Sequence, residues 1–251
     1  MKIESSSHLI EGPYMCGRVI QKSALGLAII SGTDIDDPRV KQFKARYNGA
    51  PRQELLIIRR HPETGRPTMS PARWGLIHNS FSGQDPPTQQ PINARAETVK
   101  TKFPFADAYR KRRCILPVDG FFEWKAIKGA KGRQPYAISM ADGRPFGIAG
   151  LWENWRNPRT GHWVRTFCVL TCPANELVSQ IHDRMPVILG EAFYMRWLDE
   201  QPEADELLKQ FPADLMVMWP VSQRVGNVGN DDADLVQPVP PVANPSTGEL
   251  L

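Results

Sequence analysis

Apolar residues recur along this chain in short runs that are separated by segments rich in proline, glycine and polar residues. Runs of this kind, with β-branched and aromatic residues between turn signals, predict β-strands. The predicted strands are 53–60, a strand around 72–77, and 114–125, 135–140, 146–155, 163–171, 185–189 and 215–222. The pairs 53–60 with 72–77 and 146–155 with 163–171 are expected to form hairpins.

Helical periodicity is confined to shorter stretches. The predicted helices are 36–46, 103–113, 172–181 and two short helices within 191–210. Many strands with a few scattered short helices predict an α+β fold. We expect a single domain with a mainly antiparallel, barrel-like β-sheet flanked by short helices.

The two ends of the chain differ from the rest. Residues 1–14 are polar and aperiodic, which predicts a disordered extension, a propeptide or a misassigned start, the last being preferred. Residues 239–251 are expected to form a flexible tail, which leaves 15–238 as the folded domain. No apolar run approaches the roughly 18 residues that span a bilayer, and no secretory signal is present, so the expected location is the cytoplasm.

Composition adds few constraints. Of 251 residues, 31 are Lys or Arg and 27 are Asp or Glu, giving a net charge of +4 that is compatible with a polyanionic partner. The four cysteines and five histidines show no zinc-ligand spacing, so no metal is expected. Cys168 and Cys172 fall in an apolar strand, where a buried packing role is expected.

Candidate chemistry begins at Met15-Cys16-Gly17-Arg18, which has the form of a second start. If Met15 were the initiator and were removed, Cys16 would carry a free amine beside its thiol. That pair can condense with an aldehyde and close a ring, which an internal cysteine cannot do because its nitrogen is an amide. The alternative is an internal methionine followed by an ordinary cysteine.

Two polar segments follow loops or strand ends. Asn93 and Arg95 stand close to Glu97, where an amide could hold a substrate and a guanidinium could bind a phosphate. A helix cap with an Arg–Glu pair is the structural alternative. Glu123 lies between large aromatic residues, an environment that raises a carboxyl pKa and permits proton exchange near neutrality. A solvated Glu123 on a half-buried strand is the alternative there.

Two further segments are weaker indicators. His182 lies between a predicted helix and a predicted strand, next to Asp183 and Arg184, and could serve as an acid or base or as a structural histidine. Asn227 lies in a Gly/Asn-rich stretch that would suit a phosphate backbone or a plain turn.

The tryptophans divide into two groups. Trp74 and Trp124 lie in polar surroundings and are candidates for stacking on nucleobases. The other five are expected to pack in the core or between elements: Trp152, Trp155, Trp163, Trp197 and Trp219.

Seven of these features occur in a fixed order. They are Met-Cys-Gly-Arg at 15–18, Arg-Tyr-Asn-x-Ala-Pro at 46–51, Trp-Gly at 74–75, Asn-Ala-Arg-x-Glu at 93–97, Gly-Phe-Phe-Glu-Trp-Lys at 120–125, Ile-His-Asp-Arg-Met-Pro at 181–186, and Val-Gly-Asn at 225–227. In this order the chain resembles the SOS-response-associated peptidase (SRAP) family, the abasic-site processing proteins. The resemblance runs from Met15 to about Pro238.

The resemblance implies a monomeric protein that binds single-stranded DNA, in some members at a junction with duplex DNA, and is nucleoid-associated when bound. Members capture abasic sites as a covalent thiazolidine on an N-terminal cysteine, and they were first proposed to be thiol autopeptidases. The 14 residues before Met15 depart from the family pattern, since Cys16 has no free amine while they are attached. The alternatives are a non-covalent single-strand-binding module and a thiol peptidase.

Residue roles follow from the same resemblance. Cys16 would be the cross-linking nucleophile, Asn93 would position it or the sugar, Glu123 would move protons, and His182 would be the general acid. The expected DNA-binding residues are Arg18, Asn48, Trp74, Arg95, Trp124, Arg184 and Asn227.

Overall fold

A computed structural model describes residues 16–24, 26, 32–35, 37–127, 132–199 and 204–242. The predictions for residues 1–14 and for most of the tail lie outside these ranges. The described ranges contain thirteen strands: β1 Val19–Gln21, β2 Arg46–Gly49, β3 Glu54–Arg60, β4 Pro67–Trp74, β5 Asn93–Arg95, β6 Arg113–Val118, β7 Gly120–Ala126, β8 Arg133–Met140, β9 Phe146–Arg156, β10 Trp163–Pro173, β11 Arg184–Pro186, β12 Ile188–Leu189 and β13 Met216–Pro220.

A closed five-stranded barrel forms the centre of the molecule. Its strands follow the order β10-β4-β3-β6-β9, and the ring closes because β10 pairs with both β4 and β9. The pairing is antiparallel except for β10, which runs parallel to β4 and to β5. Residues 55–58 of β3 are fully buried, because barrel strands are covered on both faces. The α+β, barrel-like prediction is confirmed.

A second sheet, ordered β13-β8-β7-β1-β2, contributes the other half of the fold. The chain enters it from the barrel at Asp119, between β6 and β7. The carboxylate of Asp119 accepts hydrogen bonds from the backbone N–H groups of Lys22 (2.7 Å) and Ser23 (2.9 Å). The predicted single strand 114–125 is therefore two strands in two sheets. They are joined at Asp119, which accepts hydrogen bonds from the backbone just after β1.

The helices are shorter than the sequence predicts. The α-helices described are Pro38–Lys41, Ala106–Lys111 and Tyr194–Leu198. The helix predicted at 172–181 is wrong: β10 continues to Pro173 and pairs with β11, and only a 3₁₀ turn, Val178–Gln180, remains. Asn175 caps that turn, since its Oδ1 accepts from the Val178 N–H at 3.0 Å while its Nδ2 donates to the Phe211 carbonyl.

One apolar core fills the barrel and the space beneath it, and a smaller cluster around Phe122, Val221 and Leu235 lies on the second sheet. Cys168 and Cys172 are buried as predicted. The prediction that Trp163 packs in the core or between elements is wrong, because 66% of its surface is exposed at the start of β10. In the part of the chain that the structure describes, no helix has the length and apolarity to cross a membrane.

Candidate active site

Cys16 lies directly before β1 and is almost fully buried, with 1% of its surface exposed. Antiparallel pairing of β1 with β7 sets Val19 opposite Phe121 and carries Cys16 to the level of Glu123. The backbone N–H of Cys16 donates to Glu123 Oε1 at 2.6 Å, across 107 residues of sequence. The nitrogen that the sequence marks as reactive is thus held by a carboxylate.

Glu123 is itself buried, with 3% of its surface exposed. Burial raises the pKa of its carboxyl, and the Cys16 N–H and the nearby His182 partly oppose that rise. A carboxyl in this position exchanges protons more readily near neutral pH than a solvated one. Of the two alternatives for Glu123, buried or solvated, the structure shows the buried one.

The thiol of Cys16 is not preactivated. Its pKa is raised well above the usual value by burial and by the adjacent Glu123, while Arg184 opposes the effect. Cys172 lies close enough to raise it further. The thiol is therefore protonated at neutral pH, and its attack on a carbon centre requires a group that accepts its proton.

His182 follows the 3₁₀ turn and is half-buried near Glu123. Its Nδ1 accepts a hydrogen bond from the Arg184 backbone N–H at 3.1 Å. A neutral His182 held this way carries its proton on Nε2. When the ring is protonated, Nδ1 can donate instead to Asp183 Oδ1, which lies 2.9 Å away.

Arg184 anchors this end of the barrel. Its guanidinium makes a bidentate pair with Glu97, with N···O distances of 2.6 and 2.9 Å, and donates to the Thr171 carbonyl at 2.7 Å. Glu97 therefore pairs with Arg184, and not with Arg95 as in the structural alternative that the sequence left open. A phosphate contact by Arg184 stays a prediction, because a phosphate there would compete with Glu97.

Asn93 and Arg95 lie on β5, which pairs in parallel with β10 so that Asn93 faces Val169 and Arg95 faces Thr171. Thr171 also pairs with Pro186 of β11, so β5 and β11 flank the same end of β10. Asn93 is half-buried and Arg95 is exposed. The barrel thus brings these two residues to the strand end that carries Arg184, and their predicted roles remain predictions.

A second group of predicted residues lies around the segment 224–231. Arg18 donates to the carbonyl groups of Val225 (2.5 Å) and Gly226 (3.1 Å), and its guanidinium lies 5.8 Å from the centroid of the Trp124 ring. Trp124 is half-buried and Asn227 is exposed. DNA contacts by Arg18, Trp124 and Asn227 stay predictions.

Two residues predicted to contact DNA are buried in the structure and bonded to other parts of the chain. Asn48 is 1% exposed, and its Nδ2 donates to three carbonyl groups of the segment 224–231, so it holds the protein together. Trp74 is fully buried, stacks on Phe167 at 5.9 Å and donates to the Ile92 carbonyl. Neither side chain is open to a nucleobase or a phosphate. The residues next to Asn48 and Trp74 in the sequence do not indicate this burial.

Among the described residues, no group of three His, Cys, Asp or Glu side chains is arranged to hold a metal ion. The chemistry available at this site is that of a nitrogen, a thiol, a carboxyl and an imidazole. Sequence reasoning missed Cys172 as a neighbour of Cys16, because its only signal was membership of an apolar strand.

The model of the SOS response associated peptidase (SRAP) family matches residues 15–228, so this chain belongs to the SRAP family. It is 35% identical over 227 residues to the abasic site processing protein YoaM of Bacillus subtilis, covering 88% of this chain and 97% of YoaM. It is 32% identical over 234 residues to the abasic site processing protein YedK of Escherichia coli, covering 90% of this chain and 100% of YedK.

Solved structures give the same relationship at the level of the fold. A protein from Bacteroides thetaiotaomicron superimposes with a TM-score of 0.79 at 26% identity, covering 90% of this chain and all of that one. A protein from Bordetella bronchiseptica superimposes with a TM-score of 0.71 at 27% identity, covering 82% of this chain and all of that one.

Proposed function

We propose that this protein processes abasic sites in single-stranded DNA by becoming covalently attached to them through Cys16, once Cys16 is the N-terminal residue. The observation that carries the proposal is the 2.6 Å contact between the Cys16 nitrogen and Glu123 Oε1. An amide N–H can only donate a hydrogen bond to this carboxylate. An N-terminal ammonium group in the same place would give its proton to the carboxylate and become a nucleophilic amine.

The reaction balances with the groups present. The amine adds to the aldehyde of the ring-opened sugar, and loss of one water leaves an imine. The thiol then adds to the imine carbon and its proton is passed to the nitrogen, which closes a thiazolidine. Glu123 takes the proton from the ammonium group, and His182 supplies the proton for ring opening and for departure of water. The net change is the loss of one water from protein plus DNA.

Exposure of Cys16 is part of the proposal. Cys16 has a φ of +47°, a backbone conformation that is uncommon for a residue other than glycine and costs about 1–3 kcal/mol. An N-terminal residue has no φ, so loss of the preceding residue would release this strain. Either initiation at Met15 or autoproteolysis would expose the amine, the latter being the thiol autopeptidase activity for which the family is named.

The biological role proposed is shielding of abasic sites during replication and the SOS damage response. Arg95 is exposed beside the site and would bind a backbone phosphate, while Trp124 would stack on a base. The abasic-site names of the curated relatives support the DNA substrate. Without a free amine at Cys16, the same surface would act as a non-covalent single-strand-binding module.

The test is intact mass spectrometry of protein begun at Met15, before and after mixing with an abasic single-stranded oligonucleotide. We expect a starting mass without Met15 and then a product equal to protein plus DNA minus water. C16A should form no heat-stable adduct, while C168A, which removes a different buried thiol, should react normally. Adduct formation by C16A at the wild-type level would rule out the proposal.

A further inference from the structure

A second concave site lies at the opposite end of β10 from Cys16. It is a cavity of about 370 Å³ whose lining includes Arg39, Glu54, Asn154, Trp163 and Arg165. Arg165 and Thr171 are six residues apart on one strand, which places the two sites about 20 Å apart along β10. The volume falls within the range of small-ligand sites in proteins.

The guanidinium groups of buried Arg59 and half-buried Arg165 lie against one aromatic ring, that of Trp152. Arg59 lies 4.9 Å and Arg165 lies 5.7 Å from the centroid of the Trp152 ring. Only 6% of Arg59 is exposed. Burial, with a smaller effect of Arg165, lowers the pKa of Arg59 to about 10. The positive charges are close enough to disfavour each other.

Hydrogen bonding in this cluster is incomplete. The Nε atoms of Arg59 and Arg165 and the Nε1 atom of Trp152 are buried, and none of them has an acceptor among the residues that the structure describes. Asp37, an acid that interacts with both arginines, is already held by two side-chain bonds from Arg39 at 3.2 and 2.8 Å. Buried N–H groups without acceptors are rare because each carries a desolvation cost. The cavity itself is lined by two arginines, Arg39 and Arg165, and by one carboxylate, Glu54, so its side chains favour an anion.

The rim of the cavity indicates which anion. Trp163 projects with 66% of its surface exposed, and its cross-strand neighbour on β9 is Arg156. An exposed indole between arginines can stack on a base while a guanidinium binds the adjoining phosphate. A small inorganic anion would use the arginines but would leave the exposed Trp163 without a role.

We propose that this cavity binds one nucleotide of a DNA strand, with the phosphate on Arg165 and the base on Trp163. The site lies outside the Cys16 chemistry and rests on the proposed function only in taking DNA as the ligand. It would hold DNA at a distance from the abasic nucleotide, so that the protein grips a longer stretch than the reaction itself requires.

The test separates the two sites by oligonucleotide length. Binding to lesion-free single strands of about 4 and about 16 nucleotides, the range of single-strand site sizes, is measured by fluorescence anisotropy on a C16A background. W163A and R165Q should weaken binding of the long strand about tenfold or more, and should weaken binding of the short strand, which cannot occupy both sites at once, much less. R165Q should also lower the salt slope by about 0.7.

Matched controls are available on the same chain. F103A removes another exposed aromatic side chain and R144Q another exposed arginine, and neither should change binding of the long strand. W163F should retain most of the affinity, which keeps the test decisive even if R165Q fails to fold. Long-strand affinity unchanged in W163A would overturn the proposal. Binding of a deoxynucleoside monophosphate as tightly as the long strand would overturn the assignment to a DNA strand.

The two proposals fail separately. The length-dependent binding is measured on lesion-free DNA with Cys16 removed, so it does not depend on covalent attachment. The adduct is measured by mass on a short abasic strand, which does not reach Trp163.

Discussion

The Cys16 nitrogen and the Glu123 carboxylate lie 2.6 Å apart, although 107 residues separate them in sequence. The pairing of β1 with β7 produces this contact, and burial of both residues removes competing water. In an interior of low dielectric constant, such a contact is stronger than it would be at the surface. We therefore expect Glu123 to accept a proton from the Cys16 nitrogen.

E123Q should retain an acceptor for the Cys16 nitrogen but lose the ability to take its proton. We expect adduct formation to slow by about 10²–10⁴-fold, the usual contribution of a positioned acid or base. The measurement is a single-turnover time course with excess protein begun at Met15. E176Q, which changes an exposed glutamate, serves as the control, and a wild-type rate in E123Q would refute the assigned role.

The raised pKa of Glu123 also predicts how stability depends on pH. Between its unfolded value and its higher folded value, the native state binds more protons than the unfolded state, so stability falls as pH rises through that window. E123Q lacks this contribution. Its stability relative to wild type should therefore increase as pH rises above the unfolded value, about 4.3.

Urea unfolding of both proteins at several pH values from 4 upward measures this difference. The two curves of stability against pH should diverge on the alkaline side of the unfolded pKa. Parallel curves over the whole range would mean that burial does not disfavour ionisation of Glu123.

Arg184 acts on the site through His182, because its backbone N–H holds His182 Nδ1 and its side chain is fixed by Glu97. R184K cannot make the bidentate contact and should slow adduct formation about tenfold. The pH profile of the rate should shift as well, since the orientation of His182 changes. E97Q should lower the free energy of unfolding by less than about 1 kcal/mol, because 45% of the Glu97 side chain is exposed and its charge is screened by solvent.

The exposed pair of Arg196 with Glu206 gives the comparison for Arg184. E206Q removes an ion pair of similar type away from the site and should leave both the rate and its pH profile unchanged. If R184K altered only stability, with an unchanged pH profile, Arg184 would be a structural residue and not a positioning one.

Asn48 predicts a stability effect without a chemical one. Its Nδ2 donates to the Val225, Asn227 and Asn230 carbonyl groups, and N48A would remove these bonds from acceptors that are buried or part-buried. We expect a loss of about 1–3 kcal/mol in unfolding free energy. Thermal or urea unfolding measures it, and N227A, at an exposed position, should change stability by less than about 0.5 kcal/mol. Equal stability of the two variants would contradict the stabilising role of the Asn48 hydrogen bonds.

The strands with strong local signals were predictable from sequence. Runs such as 53–60 and 163–171 match β3 and β10 closely, because alternation and turn residues report local structure. The coincidence of Cys16, Glu123 and His182 was expected only from the family resemblance. No local pattern indicates that three distant segments meet.

The remaining features depend on long-range pairing. The ring closes because β10 pairs in parallel with β4 and antiparallel with β9, a choice that no single segment encodes. Trp74 is buried because β10 covers it, and Trp163 is exposed because it lies beyond that cover at the start of the strand. The residues next to these two tryptophans in the sequence do not distinguish the buried one from the exposed one.

The distance in sequence between Cys16 and its carboxylate has a consequence during synthesis. The cysteine leaves the ribosome long before β7 does, and β7 precedes the turn that carries His182. A nascent chain would therefore present its amine and thiol to solvent without their proton-transfer partners. Completion of the second sheet buries both groups. Access of an aldehyde to Cys16 should therefore fall as the chain folds.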